Sequence, residues 1–191
     1  MIYAATVAAC WVVFIAYWAV SSTRVKPDTT PRTPVWMMVG WRVLAVLVFI
    51  LLLRVPGVRE LLSRSRGLFS YSKPAVGLAG DILCVTGVAI AIWSRACLGA
   101  NWSARPAVKV GHELVTSGPY RLVRHPIYTG MLLGALGTAL DAGIIGLSIF
   151  VVACVFLISR IPVEERLMTQ LFAEQYVQYK GRTKALIPYV V

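Results

Sequence analysis

The amino-acid sequence predicts an all-α integral membrane protein of about five transmembrane helices, three spans plus a helical hairpin, with a long polar region on the cytosolic side and a C-terminal helix. Three observations lead there. Of the 191 residues, 58% are hydrophobic and only 14% charged, whereas a soluble domain carries about 25% charged residues. Mean hydropathy is +0.73. The apolar residues also gather in runs near the ~20-residue length of a bilayer span, separated by proline-rich or basic segments.

The first span is read over residues 2–21. Met1 to Val20 lacks the basic leader of a signal peptide and approaches a full span in length, so it is expected to be a retained transmembrane helix. A turn carrying Arg24, Lys26, Pro27, Asp28, Pro31, Arg32 and Pro34 cannot continue it. A second span runs over residues 35–55, with Arg42 able to snorkel to the interface, and stops at Pro56-Gly57. Residues 59–69 alternate basic and apolar blocks, which suits either a short helix in the headgroup layer or a linker. The third span follows Lys73-Pro74 and ends between Arg95 and Gly99. Its Gly77 and Gly80 permit close helix approach.

Residues 100–127 turn polar for longer than ordinary connections do, which points to a site. Two apolar arms follow, residues 128–140 and 144–159, around Asp141-Ala-Gly143, whose residue types favour a turn. Each arm is shorter than a full span, so together they read as a tight helical hairpin. The tail starts at Pro162, a residue suited to a first helical turn. Leu167, Leu171, Tyr176 and Tyr179 then recur at near-helical spacing opposite a polar face, and Gly181 ends the helix. Residues 1–99 thus form an N-terminal unit of three spans, and residues 100–191 a region with the hairpin and the tail.

Five crossings put the two termini on opposite sides. The loop over residues 23–34, the polar region and the tail then share one basic side, which the positive-inside tendency makes cytoplasmic. The basic segment over residues 56–73 falls on the other side, against that tendency. The net charge of +11, from 19 basic and 8 acidic residues, fits anionic headgroups and membrane flanks. A nucleic-acid binder would need a basic face on a soluble fold, so the expected partner is the lipid bilayer and not nucleic acid. Cys10, Cys84, Cys97 and Cys154 are dispersed, and with His112 and His125 as the two histidines no zinc ligand spacing arises. No metal is expected.

The chemistry concentrates in two places. Arg121-Leu-Val-Arg124-His125-Pro126-Ile127-Tyr128 sets cationic, imidazole and aromatic groups at the edge of an apolar run, where desolvation is costly without an anionic or π-seeking occupant. Arg160 and Glu164 stand four apart, hence on one helix face. An ordinary surface ion pair and an interfacial aromatic belt are the plainer readings of these features taken one by one.

In order along the chain stand His112-Glu-Leu-Val115, Ser117-Gly-Pro-Tyr120, Arg124-His-Pro-Ile-Tyr128-x-Gly130, Arg160-x-x-x-Glu164-Glu165, Tyr176-x-x-Tyr179 and a closing Pro188. This series resembles the isoprenylcysteine carboxyl methyltransferase family, which is similar to the membrane phospholipid methyltransferases. The likeness covers residues 101–188. It implies S-adenosyl-L-methionine as methyl donor in a non-Rossmann site, and no glycine-rich loop after a strand argues otherwise. By position it implies that Arg105, His112, Glu113, Leu114 and Val115 line the cofactor, the last four largely through backbone. Tyr120, His125, Pro126, Ile127 and Tyr128 continue that wall, Glu164 holds a polar end of the cofactor, and Arg160 faces the acceptor carboxylate. Arg160 and Glu164 are thus the implied catalytic pair. The implied acceptor is a lipophilic carboxylate such as an isoprenylcysteine, with a lipid amine, another isoprenoid or a non-catalytic protein of the same fold as alternatives. A carboxylate needs no general base, and a dry site favours a reaction in which opposite charges vanish.

Overall fold

The computed structural model describes residues 2–27, 74–103 and 110–190. The second span, the basic segment over residues 56–73 and Arg105 lie outside these described residues. Among them the chain is all-helical. Helix α1 spans Ile2–Ser22, α2 spans Pro74–Leu98 and runs on into a 3-10 turn at Gly99–Asn101, and α3 spans Pro126–Arg182. A further 3-10 turn, Gly118–Arg121, precedes α3.

Helix α3 is a hairpin rather than a rod. Tyr128 and Glu164, 36 positions apart, are hydrogen-bonded, yet a straight helix would separate them by about 54 Å. The reversal falls at Gly143, with φ 63° and ψ −139°, a conformation that glycine adopts far more readily than side-chain-bearing residues. Asp141-Ala-Gly143 therefore does contain the expected turn. Directly after it Gly146 packs against Ala139 and Thr138 of the first arm.

The tail differs from expectation. Pro162 does not begin a helix; the second arm, residues 144–182, runs through it. An interior proline removes one backbone hydrogen bond and strains the preceding turn. The side chains of Arg160, Glu164 and Glu165, just before and after it, are all engaged, and these ties outweigh the local penalty. The interruption lies instead at Ala173, with φ 43°, and the end comes at Arg182, one residue past Gly181. Three helices among the described residues are long and apolar enough to cross a membrane: Tyr3–Ser22, Pro74–Asn101 and Gly146–Arg182. The molecule is a multi-pass helical membrane protein. The first hairpin arm, residues 126–142, is shorter than these.

Helix packing rests on missing side chains. The buried face of α2 carries Gly77, Gly80, Cys84, Gly87 and Ala91, a three-to-four-residue stripe of small residues. A Cβ on Gly87 would stand 2.5 Å from the Gly130 carbonyl oxygen, and one on Gly137 would stand 2.5 Å from that of Gly80. Backbone thus touches backbone along the α2–α3 seam. Gly77 instead receives the Tyr3 ring from α1. Trp11 of α1 donates from Nε1 to Thr138 Oγ1 at 2.9 Å, which ties α1 to the first arm. Val12, Val13, Ile15 and Val20 of α1 remain exposed, as side chains facing hydrocarbon would be.

Where α1 and α2 end, Arg95 is fully buried. Its Nη1 donates to the Gly99 carbonyl at 2.7 Å and its Nη2 to that of Ser21 at 2.8 Å, and its guanidinium lies 4.5 Å from the centre of the Trp102 ring. One cation closes two helix C-termini, where carbonyls lack intrahelical donors. Lys26 extends the junction, donating from Nζ to Asn101 Oδ1 and the Gly111 carbonyl.

Gly87→Ala forces the α2–α3 seam apart and is expected to lower the apparent Tm by about 3–10 °C. Gly181→Ala, where a Cβ meets nothing within 4 Å, leaves it unchanged. Thermal unfolding of both variants in detergent checks this.

Candidate active site

The site assembles at the root of the hairpin, where the start of α3, its second arm and the C-terminal segment meet. Pro126 opens α3 at its first position, where a missing N–H costs nothing. The proline also drives the residue before it out of the helical region, and His125 has φ −122° and ψ 57°. Its backbone is then free to pair sideways. Arg124 N–H donates to the Lys184 carbonyl at 2.8 Å and His125 N–H to that of Ala185 at 2.9 Å, beside a parallel bridge between Val123 and Lys184. Thr129 Oγ1 donates to the Leu186 carbonyl at 2.7 Å. The C-terminal segment thereby becomes a backbone brace along residues 123–129.

The two neighbouring carboxylates of the second arm face this brace. Glu165 is buried, and Arg124 Nε lies 2.6 Å from its Oε1, both side chains being 9% exposed. Lys180 Nζ lies 2.6 Å from its Oε2. Arg124 Nη1 also donates to the Thr183 carbonyl. Glu164 accepts from the Tyr128 hydroxyl, from Arg160 Nε at 3.2 Å and from Arg160 Nη2 at 3.0 Å. The His125 ring stands between them, its Nδ1 3.6 Å from Glu164 and its Nε2 3.6 Å from Glu165. At that range Nε2 is buried without a hydrogen bond, and the imidazole stacks on the Tyr128 ring at an interplanar angle of 10°.

Of the residues expected from sequence, the structure brings His125, Tyr128, Arg160 and Glu164 together. Pro126 and Ile127 are buried behind them. Tyr120 is buried as well, at the turn whose Gly118 has φ +60°. Its carbonyl accepts from the Tyr179 hydroxyl at 2.6 Å. Burial, with the Tyr179 phenol and the Cys97 thiol adding to it, pushes the Tyr120 hydroxyl far above the ordinary tyrosine value and keeps it neutral. His112, Glu113, Leu114 and Val115 lie in a segment without helix or strand, and the His112 ring meets that of Phe172, further along the second arm, edge to face at 5.6 Å. Phe172 follows Glu164 by eight positions, about 12 Å of helix rise. Glu113 is exposed, and Leu114 and Val115 are half-buried. Arg105 lies outside the described residues.

Sequence reasoning missed the role of Glu165 with Arg124 and Lys180. The signal was present, since two adjacent glutamates on an apolar helix require two sets of donors, but their partners stand 41 positions earlier and 15 later, beyond any local pattern.

A polytopic helical membrane protein with a cluster of charged side chains at the root of a hairpin is the class that fold and site define. The phospholipid methyltransferase family matches residues 76–175, and the chain belongs to that family. Its sequence is 41% identical over 81 residues to protein-S-isoprenylcysteine O-methyltransferase B of Arabidopsis thaliana, a match covering 41% of each chain. It is 34% identical over 117 residues to protein-S-isoprenylcysteine O-methyltransferase A of the same plant, covering 58% of each. The match thus spans roughly half the length of these curated relatives. The fold is similar to that of the eukaryotic intramembrane Ras methyltransferase isoprenylcysteine carboxyl methyltransferase, with a TM-score of 0.54 at 24% identity, covering 71% of this chain and 53% of that one.

Tyr179→Phe deletes the hydroxyl that fastens the tail to the Tyr120 turn. It is expected to cost about 1 kcal/mol, read as a lower apparent Tm in detergent, with the far-UV circular dichroism spectrum retained.

Proposed function

We propose that the chain is a membrane-embedded, S-adenosylmethionine-dependent carboxyl O-methyltransferase whose acceptor is a lipophilic carboxylate such as an isoprenylcysteine. The observation that carries this reading is the meeting of His125, Tyr128, Arg160 and Glu164 across the hairpin. These residues come from motifs that stand far apart in sequence. The isoprenylcysteine methyltransferases of Arabidopsis support it from the side of sequence.

The residues present fit the donor. Residues 113–116 make no backbone–backbone hydrogen bond among the described residues, so their amides and carbonyls are available to a polar ligand. In this reading His112 to Val115 form one wall, His125 and Tyr128 form the next with the buried Tyr120, Pro126 and Ile127 packed against it, and Glu164 receives the donor's ammonium group. The Tyr128 ring can lie against a sulfonium, a cation–π contact of about 0.5–2 kcal/mol. When bound, S-adenosylmethionine supplies an electrophilic methyl group.

The chain's own task is capture and alignment. Glu164 accepts from Nε and Nη2 of Arg160, which fixes the plane of the guanidinium. A planar guanidinium so held can take an acceptor carboxylate bidentately. An acceptor already ionised at neutral pH needs no base, so orientation and exclusion of water provide the acceleration. Residues 1–99 would shape the groove for the acceptor's hydrocarbon and residues 100–191 would carry the chemistry, with the site on the cytoplasmic side.

Incubation of the purified protein with methyl-labelled donor and a farnesylated cysteine bearing a free carboxylate tests the reading. A base-labile labelled ester is expected. A base-stable product would assign a lipid amine instead, and absence of both donor binding and transfer would overturn the proposal. Arg160→Ala is expected to cut turnover about a hundredfold or more while donor affinity changes by less than about tenfold. Glu164→Ala is expected to weaken donor binding by about tenfold. Isothermal titration set against initial rates separates the two variants.

A further inference from the structure

We propose that a basic cavity beside the C-terminal turn binds the phosphate of an anionic phospholipid. The recess has a volume of about 190 Å³, and Arg121, Lys180, Arg182 and Lys184 line it together with Thr183 and Tyr189. No carboxylate lines it. Lys180 is held by Glu165, whereas Arg121, Arg182 and Lys184 have no ion-pair partner among the described residues. Like charges gathered around a small hollow repel one another unless an anion fills it.

Helix polarity accounts for part of this arrangement. Lys180 and Arg182 occupy the last turn of α3, where cations offset the helix dipole. Arg121 and Lys184 are not on that helix. Arg121 ends the 3-10 turn Gly118–Arg121, and Lys184 is fixed by its bridge to Val123 and by its carbonyl bond to Arg124. Hydrogen-bonded backbone, not a flexible chain, brings these two residues to the helix end. The backbone thus presents four cations to one recess, and phosphate oxygens match guanidinium donors.

The rim decides the source of the phosphate. Leu122, Ile187, Tyr189 and Val190 are more than half exposed, Tyr189 at 91%, and they border the recess in space or in sequence. Large apolar groups around a cationic hollow suit the boundary between headgroups and acyl chains, where tyrosine and basic side chains anchor proteins to anionic leaflets. A soluble phosphate would leave that rim in water. None of His125, Tyr128, Arg160 and Glu164 lines the cavity, and it is independent of the methyl acceptor proposed above.

Native mass spectrometry of the full chain released from detergent micelles tests this with three probes: dioctanoyl phosphatidylglycerol, dioctanoyl phosphatidylcholine and inorganic phosphate. Phosphatidylglycerol is expected to bind at least about tenfold more tightly than the other two. The R121Q/R182Q/K184Q variant is expected to lose that preference with its apparent Tm retained, a tenfold change being the smallest clear effect. Should that variant misfold, L122S/V190S keeps every charge and is expected to weaken phosphatidylglycerol alone. Equal binding of the two lipids, or unchanged binding by these variants, would overturn the proposal. Phosphate binding as tightly as phosphatidylglycerol would overturn the lipid assignment.

Discussion

Two consecutive carboxylates, Glu164 and Glu165, follow the apolar stretch of the second arm of α3, and the site depends on how they are neutralised. Successive helical residues point about 100° apart, so each carboxylate meets a different part of the chain. Glu165 is gripped by Arg124 and Lys180. Glu164 faces Tyr128 and Arg160. Buried carboxylates are costly unless paired and hydrogen-bonded, and meeting that cost draws the start of α3, its second arm and the tail into one place.

The division of labour follows from burial. Glu165 and Arg124 are the less exposed pair, and Arg124 is further occupied by the carbonyl of Thr183. Their role is to hold the brace in which the amides of Arg124 and His125 meet the carbonyls of Lys184 and Ala185. Glu164 and Arg160 are about one-fifth exposed, open enough to meet a ligand and dry enough for charge to count. His125 belongs to both groups, since its backbone sits in the brace and its ring lies between the two carboxylates. On the far side, the glycine contacts between α2 and α3 set the first arm so that Tyr128 reaches Glu164.

Much of this was legible in the sequence because it is local. The ends of α1 and α2 follow apolar run length and proline punctuation, and the hairpin turn follows Asp141-Ala-Gly143. The i, i+4 spacing of Arg160 and Glu164 yields their contact directly. The motif order marked His125, Tyr128, Arg160 and Glu164, and they do converge. What local pattern could not supply was pairing over distance. Arg124, part of the motif but given no role by it, proves to be the partner of Glu165. Pro162 carried the signature of a helix start, yet side-chain ties just before and after it carry the helix through. Gly87, Gly130 and Gly137 resemble the unremarkable glycines of many membrane helices until the facing backbone is in view.

If the Glu165–Arg124 pair positions the wall against which the methyl donor is proposed to lie, the pair must influence donor binding without touching the donor. A double-mutant cycle on donor affinity, using Arg124→Gln and Glu165→Gln in detergent-purified protein, tests this most directly. Each single change is expected to weaken binding and the double variant to be no weaker than the worse single, a coupling energy of about 1 kcal/mol or more. Strictly additive losses, or donor affinity unchanged in all three variants, would contradict it.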